Sequence, residues 1–354
     1  MYHSGQSIFT KMKSFKKILK IAAFAIILLL AGFFIYIACS GSSLPDEYVE
    51  TASQVIKNPL PEVIRGRTGF AKSQGLDIWY ESIDPKTQPK GTVLLIMGIS
   101  NDALGWPRKF IDAFVDSGYQ VIRYDHRGVG WSDWVENWDA AKPYSLADMS
   151  EDVVAVLDAL NVQKANIVGV SMGGMIAQEV AIRHPERTAS LVSIASSGYI
   201  EDPNLPPISS AVAFDLVKVA LKYGIFGGEK NILKMHLASR IILMGDAQYP
   251  LEVKSISEEV LYNIRKRKGY NMYVSQQHHA AVRLSGSRYE GLRRLTVPTL
   301  IIHGKSDPFI PIQHGKKCAE IIPNADTLWL DGMGHGIPGV LVDTLSKRMM
   351  GVFR

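Results

Sequence analysis

Cysteine is nearly absent: Cys39 and Cys318 are the two in 354 residues. A disulfide framework is thereby excluded, and with no cysteine cluster or repeated histidine spacing there is no argument for a structural zinc or any other metal site. Internal repeats and low-complexity tracts are missing as well. Net charge is scarce once the amino terminus is set aside. The 39 Lys and Arg exceed the 34 Asp and Glu by 5, and five lysines, Lys11, Lys13, Lys16, Lys17 and Lys20, precede residue 21 with no acid among them. The remainder is formally neutral, which removes the electrostatic case for a nucleic-acid partner. Its densest basic run, Arg265-Lys266-Arg267-Lys268, reads as the solvated end of a helix. Apolar runs of bilayer length are missing too, with one exception.

That exception is residues 21–39, from Ile21 to Cys39, which carry no charge and as a helix would reach about 28 Å at 1.5 Å per residue, close to the hydrocarbon thickness of a bilayer. Lysines precede it, and Asp46, Glu47 and Glu50 follow it. The positive-inside tendency therefore keeps residues 1–20 cytoplasmic and sends the rest across, so the expectation is an uncleaved single-pass anchor with the body outside. Two alternatives stay open. A cleaved secretion signal also starts basic, although its apolar core is usually shorter, about 7 to 15 residues. Tyr36-Ile37-Ala38-Cys39 also looks like a bacterial lipoprotein cleavage site with a lipidated Cys39, except that Tyr36 stands where a small branched aliphatic residue is usual.

Residues 40–62 read as a polar tether. The 354 residues and their 47% apolar composition suffice for one large α/β domain with an accessory element or for two smaller domains. Strand-like runs at 76–82, 91–97, 120–124, 165–170, 189–195, 299–303 and 327–330 alternate with helical patterns at 106–117, 146–160, 172–184, 311–322 and 340–353. That alternation predicts a mostly parallel sheet covered on both faces. Between residues 199 and 294 no buried strand is legible, and patterns at 212–223, 229–243, 255–268 and 270–284 predict helices instead. A helical insertion between two core strands is most simply a cap, dividing the core into residues 63–198 and 295–354. Within this scheme Cys318 reads as a buried or half-buried structural thiol, and the pair His278-His279 as polar surface.

The chemistry lies at the strand ends. Gly169-Val170-Ser171-Met172-Gly173 follows an apolar run and opens a helical stretch, so a serine is presented at a tight strand-to-helix reversal. Gly169 and Gly173 relieve the collisions that such a reversal creates. His303-Gly304-Lys305-Ser306-Asp307 puts an acid after a later strand, and Asp331-Gly332-Met333-Gly334-His335 puts a histidine in a glycine-rich loop after the next. Each has a bland reading as well, Asp307 as a helix cap and His335 as a loop histidine bonded to backbone. Together, Ser171 as nucleophile, His335 as general base and Asp307 as its orienting acid keep the chain order of α/β-hydrolases, which other serine hydrolases do not share. Asp326 and Asp331 bracket the neighbouring strand and are the rival acids. Oxyanion donors are expected at the amides of Met172 and Ile99.

The body, residues 63–354, resembles an α/β-hydrolase of the esterase and lipase-like type with a helical cap. Besides the Ser171 pentapeptide, Tyr124-Asp125-His126-Arg127-Gly128-Val129-Gly130-Trp131-Ser132 is similar to the Asp-x-Arg-Gly-x-Gly-x-Ser loop of that family. Met97-Gly98, where most of the family has His-Gly, together with Ala103-Leu104-Gly105-Trp106-Pro107, points to the methylesterases related to aclacinomycin methylesterase. The resemblance implies hydrolysis of a small-molecule carboxylic ester, with no cofactor and no metal. An aminopeptidase or amidase with the same three residues is the enzymatic alternative, although proline iminopeptidases of this fold typically have tryptophan where Met172 stands. A silent scaffold that only binds is the alternative outside enzymes. A serine nucleophile disfavours haloalkane dehalogenases and epoxide hydrolases, which use a carboxylate. The usual relatives are soluble, so the apolar amino-terminal segment is an addition.

Overall fold

The computed structural model describes residues 15–29, 32, 33, 36, 44–224 and 227–354. Eight strands form one sheet: β1 Arg67–Ser73, β2 Leu76–Ile83, β3 Thr92–Ile96, β4 Gln120–Tyr124, β5 Ala165–Val170, β6 Thr188–Ile194, β7 Thr299–Gly304 and β8 Asp326–Leu330. Their order is β1-β2-β4-β3-β5-β6-β7-β8. Strands β1 and β2 pair antiparallel, as do β2 and β4, and every pairing from β4 to β8 is parallel. The parallel sheet expected from the β/α alternation is present.

Alternate side chains of each central strand serve opposite faces, as the period of two requires. Leu94 and Ile96 of β3 join Ile167, Leu191 and Ile301 under the helices Leu146–Ala159 and Met172–Arg183. Val93 and Leu95 join Val168, Val192, Leu300 and Ile302 against the helices Arg108–Asp116 and Val342–Met350. Each fully buried aliphatic side chain contributes about 1.5–3 kcal/mol, so the continuous apolar runs specify a strand covered on both sides. Cys318 is buried in the first of these layers, and burial pushes its thiol up to about 11.

Between β6 and β7 the helices Ser210–Gly224, Glu229–Met244, Val253–Lys266, Val274–Ser285 and Tyr289–Leu292 replace strands. The first three share a third apolar cluster, with Val219, Leu233, Leu237, Val260 and Leu261 at its centre, while Ala281 and Leu292 of the last two belong to the first layer. Part of that cluster comes from the segment expected to be a tether. Residues 46–57 are instead the helix Asp46–Lys57, which buries Ala52 and Val55 there together with Leu44. The stripe Tyr48, Val49, Ala52, Val55, Ile56 has helical spacing, and the polar residues between its members mask it to a composition-based reading. The edge strand β1 was also not anticipated, because Arg-Thr-Gly-Phe-Ala-Lys-Ser has no apolar run.

Residues 15–29 form an exposed helix. Among the described residues no helix is long and apolar enough to cross a membrane, so the described residues give the expected span at 21–39 no support. Part of that span, Cys39 included, and residues 1–14 lie outside the described residues.

Candidate active site

Strand β5 ends at Val170, and Ser171 turns the chain into the helix Met172–Arg183 with φ 56° and ψ −124°. That conformation is rare for a side chain larger than glycine and costs on the order of 1–3 kcal/mol. Four hydrogen bonds hold it. Ser171 N–H donates to the Ile194 carbonyl at 2.8 Å, and the Ser171 carbonyl accepts from Gly174 N–H, Met175 N–H and the Ser196 hydroxyl. The flanking glycines are required by space. A Cβ at Gly169 would strike the Gly173 carbonyl, and one at Gly173 would strike the carbonyls of Ile96 and Met97.

The carboxyl ends of β7 and β8 lie side by side, Gly304 opposite Leu330. Their loops interlock: Lys305 N–H donates to the Leu330 carbonyl and Ser306 N–H to the Met333 carbonyl. This brings Asp307 and His335 together. His335 Nδ1 lies 2.7 Å from Asp307 Oδ2, and His335 Nε2 lies 3.0 Å from Ser171 Oγ. The second carboxylate oxygen, Asp307 Oδ1, accepts from Phe309 N–H and Ile310 N–H, both at 2.9 Å. Asp307 thus bonds the turn that follows it and does not cap the helix Ile312–Ile321, whose N-cap Pro311 has no side-chain bond, while its other oxygen holds the histidine. Burial opposes its charge, but His335 and hydrogen bonds from His303 and His335 hold its carboxyl well below the usual carboxylate range. The rival acids are elsewhere: Asp331 is exposed and paired with Lys305, and Asp326 begins β8 and faces Arg348.

Gly98 packs against the serine, a Cβ there falling 3.3 Å from Ser171 Cβ. Ile99 and Met172 therefore flank Ser171 from the end of β3 and from the first turn of the helix. Among the described residues neither of their amide hydrogens is given to another protein group.

A family model described as alpha/beta hydrolase fold matches residues 91–338. The chain belongs to that family. Among curated relatives of this alpha/beta hydrolase are a rhodomycin D methylesterase, DauP, of Streptomyces sp. (strain C5), 29% identical over 74% of this chain and 89% of the relative. A bifunctional esterase/perhydrolase of Acinetobacter calcoaceticus is 26% identical over 79% and 97%. The solved esterase EaEST from Exiguobacterium antarcticum superposes with a TM-score of 0.60 at 20% identity, covering 81% of this chain and 97% of that one, which speaks for the fold alone. The resemblance to methylesterases noted in the motifs is borne out by the relatives.

Three features of this alpha/beta hydrolase site were not anticipated. His303 is fully buried; its Nε2 donates to the Ile310 carbonyl and lies 3.4 Å from Asp307 Oδ2. His278, read as surface, is fully buried, because it falls on the inward stripe Val274, Gln277, His278, Ala281 of its helix. Arg267, read as a solvated helix end, buries its guanidinium against both Trp79 and Trp131, 4.9 Å from each ring centroid, and pairs with Asp125. The helical spacing of His278 was visible in the sequence. The partners of Arg267 were not, since an acid from the loop after β4 meets it only in the fold.

Proposed function

We propose that this chain is a serine hydrolase that cleaves carboxylic esters through an acyl-serine intermediate, anchored to a membrane by residues 21–39. The observation that carries the reading is the unbroken hydrogen-bond chain from Ser171 Oγ through His335 to Asp307. His335 Nε2 takes the hydroxyl proton as Ser171 Oγ bonds to the ester carbonyl carbon. The resulting oxyanion is met by the amides of Ile99 and Met172, whose hydrogens no other protein group among the described residues receives. His335 then gives its proton to the departing alkoxide, and an alcohol leaves. Water repeats the sequence: its proton goes to Nε2, its oxygen to the acyl carbon, and the acid is released as Ser171 recovers its hydrogen. Asp307 keeps Nδ1 protonated and Nε2 free to accept.

The esterase and methylesterase names of the relatives support an ester over an amide. The helices between β6 and β7 serve as a cap over Ser171. The lysines before residue 21 and the acids after residue 39 support an outward-facing catalytic domain, and a lipidated Cys39 would serve the same placement. A panel of p-nitrophenyl esters of increasing acyl length, run beside p-nitroanilide amides, tests the reaction class. Ester turnover exceeding amide turnover by orders of magnitude, unchanged by EDTA, is the expected result. Preferential amide cleavage would replace the esterase reading by an amidase.

A further inference from the structure

The loop after β3 is held from the helical insertion. Asn101 N–H donates to the Gly98 carbonyl at 3.2 Å, closing a four-residue turn in which Ser100 has a φ of 60°. A turn with positive φ at its third residue ordinarily uses glycine or asparagine there. Serine holds the conformation because both sides of the Ile99–Ser100 peptide are gripped. Its carbonyl accepts from Asn101 Nδ2 at 2.9 Å, and its N–H donates to His278 Nδ1 at 3.1 Å.

His278 is itself oriented. Its Nε2 donates to the Arg127 carbonyl at 3.0 Å, so Nδ1 is left as the acceptor. The ring sits edge-on to His126, with centroids 5.6 Å apart, and His126 Nε2 donates to the Met97 carbonyl at 2.8 Å. Two buried imidazoles therefore grip residues 97–100. Burial holds His278 down at about 3 and His126 at about 4. Both rings are neutral at working pH, and the acceptor at Nδ1 persists.

We propose that His278 is a positioning residue of the oxyanion hole: by holding Ser100 N–H it fixes the strained turn that aims Ile99 N–H at the substrate carbonyl oxygen. This rests on the reading of Ile99 as an oxyanion donor to an acyl-serine reaction. It makes transition-state stabilisation depend on the seating of the helical insertion, since the gripping atom belongs to the helix Val274–Ser285 and the gripped one to the loop after β3. Without the acceptor, Ser100 relaxes toward negative φ and the Ile99 amide turns with it. Losing a donor of this kind outright costs about 10²–10³ in kcat, and misdirecting one costs less.

The test compares His278→Ala and His278→Asn with the parent, using kcat and KM on a p-nitrophenyl ester and the inhibition constant of an alkyl trifluoromethyl ketone, which forms a tetrahedral adduct. His278→Ala is expected to lower kcat about 10- to 100-fold with KM within about twofold, and to weaken the ketone in parallel. His278→Asn, whose amide oxygen reaches the place of Nδ1, is expected to recover most of both. A folded His278→Ala with unchanged kcat and ketone affinity overturns the proposal. So does a loss of kcat that asparagine does not recover and the ketone does not report. Should His278→Ala fail to fold, the asparagine variant decides alone: near-parental kcat and ketone affinity support the proposal, and a large kcat loss with intact ketone affinity overturns it. Ser171→Ala in the same assay separates the underlying reading, because activity surviving there removes the acyl-serine reaction whatever His278 does.

Discussion

The guanidinium of Arg267 sits against the carboxylate of Asp125, and both side chains are wholly withdrawn from solvent. Arg267 ends the helix Val253–Lys266 of the insertion, while Asp125 follows β4 and also accepts from Ala103 N–H and Trp131 N–H. Burial raises the Asp125 pKa against the pull of Arg267. Removing the cation alone leaves a buried carboxylate with backbone partners only. Arg267→Ala is expected to cost about 3–5 kcal/mol in urea unfolding, and Arg267→Met combined with Asp125→Asn is expected to cost less than that single change. A change below about 0.5 kcal/mol for Arg267→Ala would deny the pair its part in seating the insertion on the core.

Glu259, half-buried on the same helix, has its carboxyl pushed up by burial to about 8. Its folded pKa is raised above the ordinary value near 4.5, so the stability it contributes is fully present below about pH 4.5 and is lost as pH rises through about 8. Glu259→Gln removes that dependence. Thermal unfolding of the variant and the parent, compared from pH 5 to pH 9, should diverge up to about pH 8 and level off above it, with the variant gaining relative stability. Parallel curves would mean that the carboxyl is ionised throughout.

The acid of the site is tested by pairing two substitutions. Asp307→Asn should reduce ester turnover on the order of 10⁴-fold by presenting the wrong imidazole tautomer to Ser171. Asp331→Asn should leave turnover within about twofold, because Asp331 is exposed and bonded to Lys305. The reverse pattern would reassign the acid.

Deleting residues 1–43 should release a soluble, active enzyme from an otherwise carbonate-resistant membrane fraction, since every group of the site lies beyond Gly98 and Leu44 keeps its place in the third apolar cluster. Deleting residues 1–57 removes the helix Asp46–Lys57 from its packing on the helices Glu229–Met244 and Val253–Lys266. That second truncation should unfold at lower temperature. Equal stability of the two would leave the helix without a structural part, and a full-length protein found wholly in the soluble fraction would remove the anchor.

The central sheet and the meeting of Ser171, His335 and Asp307 were legible because local rules dictate them. Val93 to Ile96 read as a strand buried on both faces, and Gly169, Ser171 and Gly173 read as an elbow, because each depends on residues adjacent in sequence. The strand-end rule then placed Asp307 and His335 in neighbouring loops. What escaped the sequence depends on distant partners. Asp46–Lys57 is a helix because the helices Glu229–Met244 and Val253–Lys266 cover its apolar stripe, and nothing within it announces that cover. Arg267 was read as surface since a polar side chain at an inward position declares burial only once its partner, Asp125, is known, whereas the inward stripe that buries His278 lay within its own helix.

Fluorophosphonate labelling of the intact protein, followed by mass spectrometric location of the adduct and by ester turnover of Ser171→Ala, tests the central claim most directly. Attack by Ser171 Oγ on phosphorus with loss of fluoride should give one adduct, on the peptide carrying Ser171, and its formation should abolish turnover. Folded Ser171→Ala should take no label and should lose turnover by about 10⁴- to 10⁶-fold. Label elsewhere in the chain, or most of the activity surviving in folded Ser171→Ala, would contradict an acyl-serine mechanism at this site.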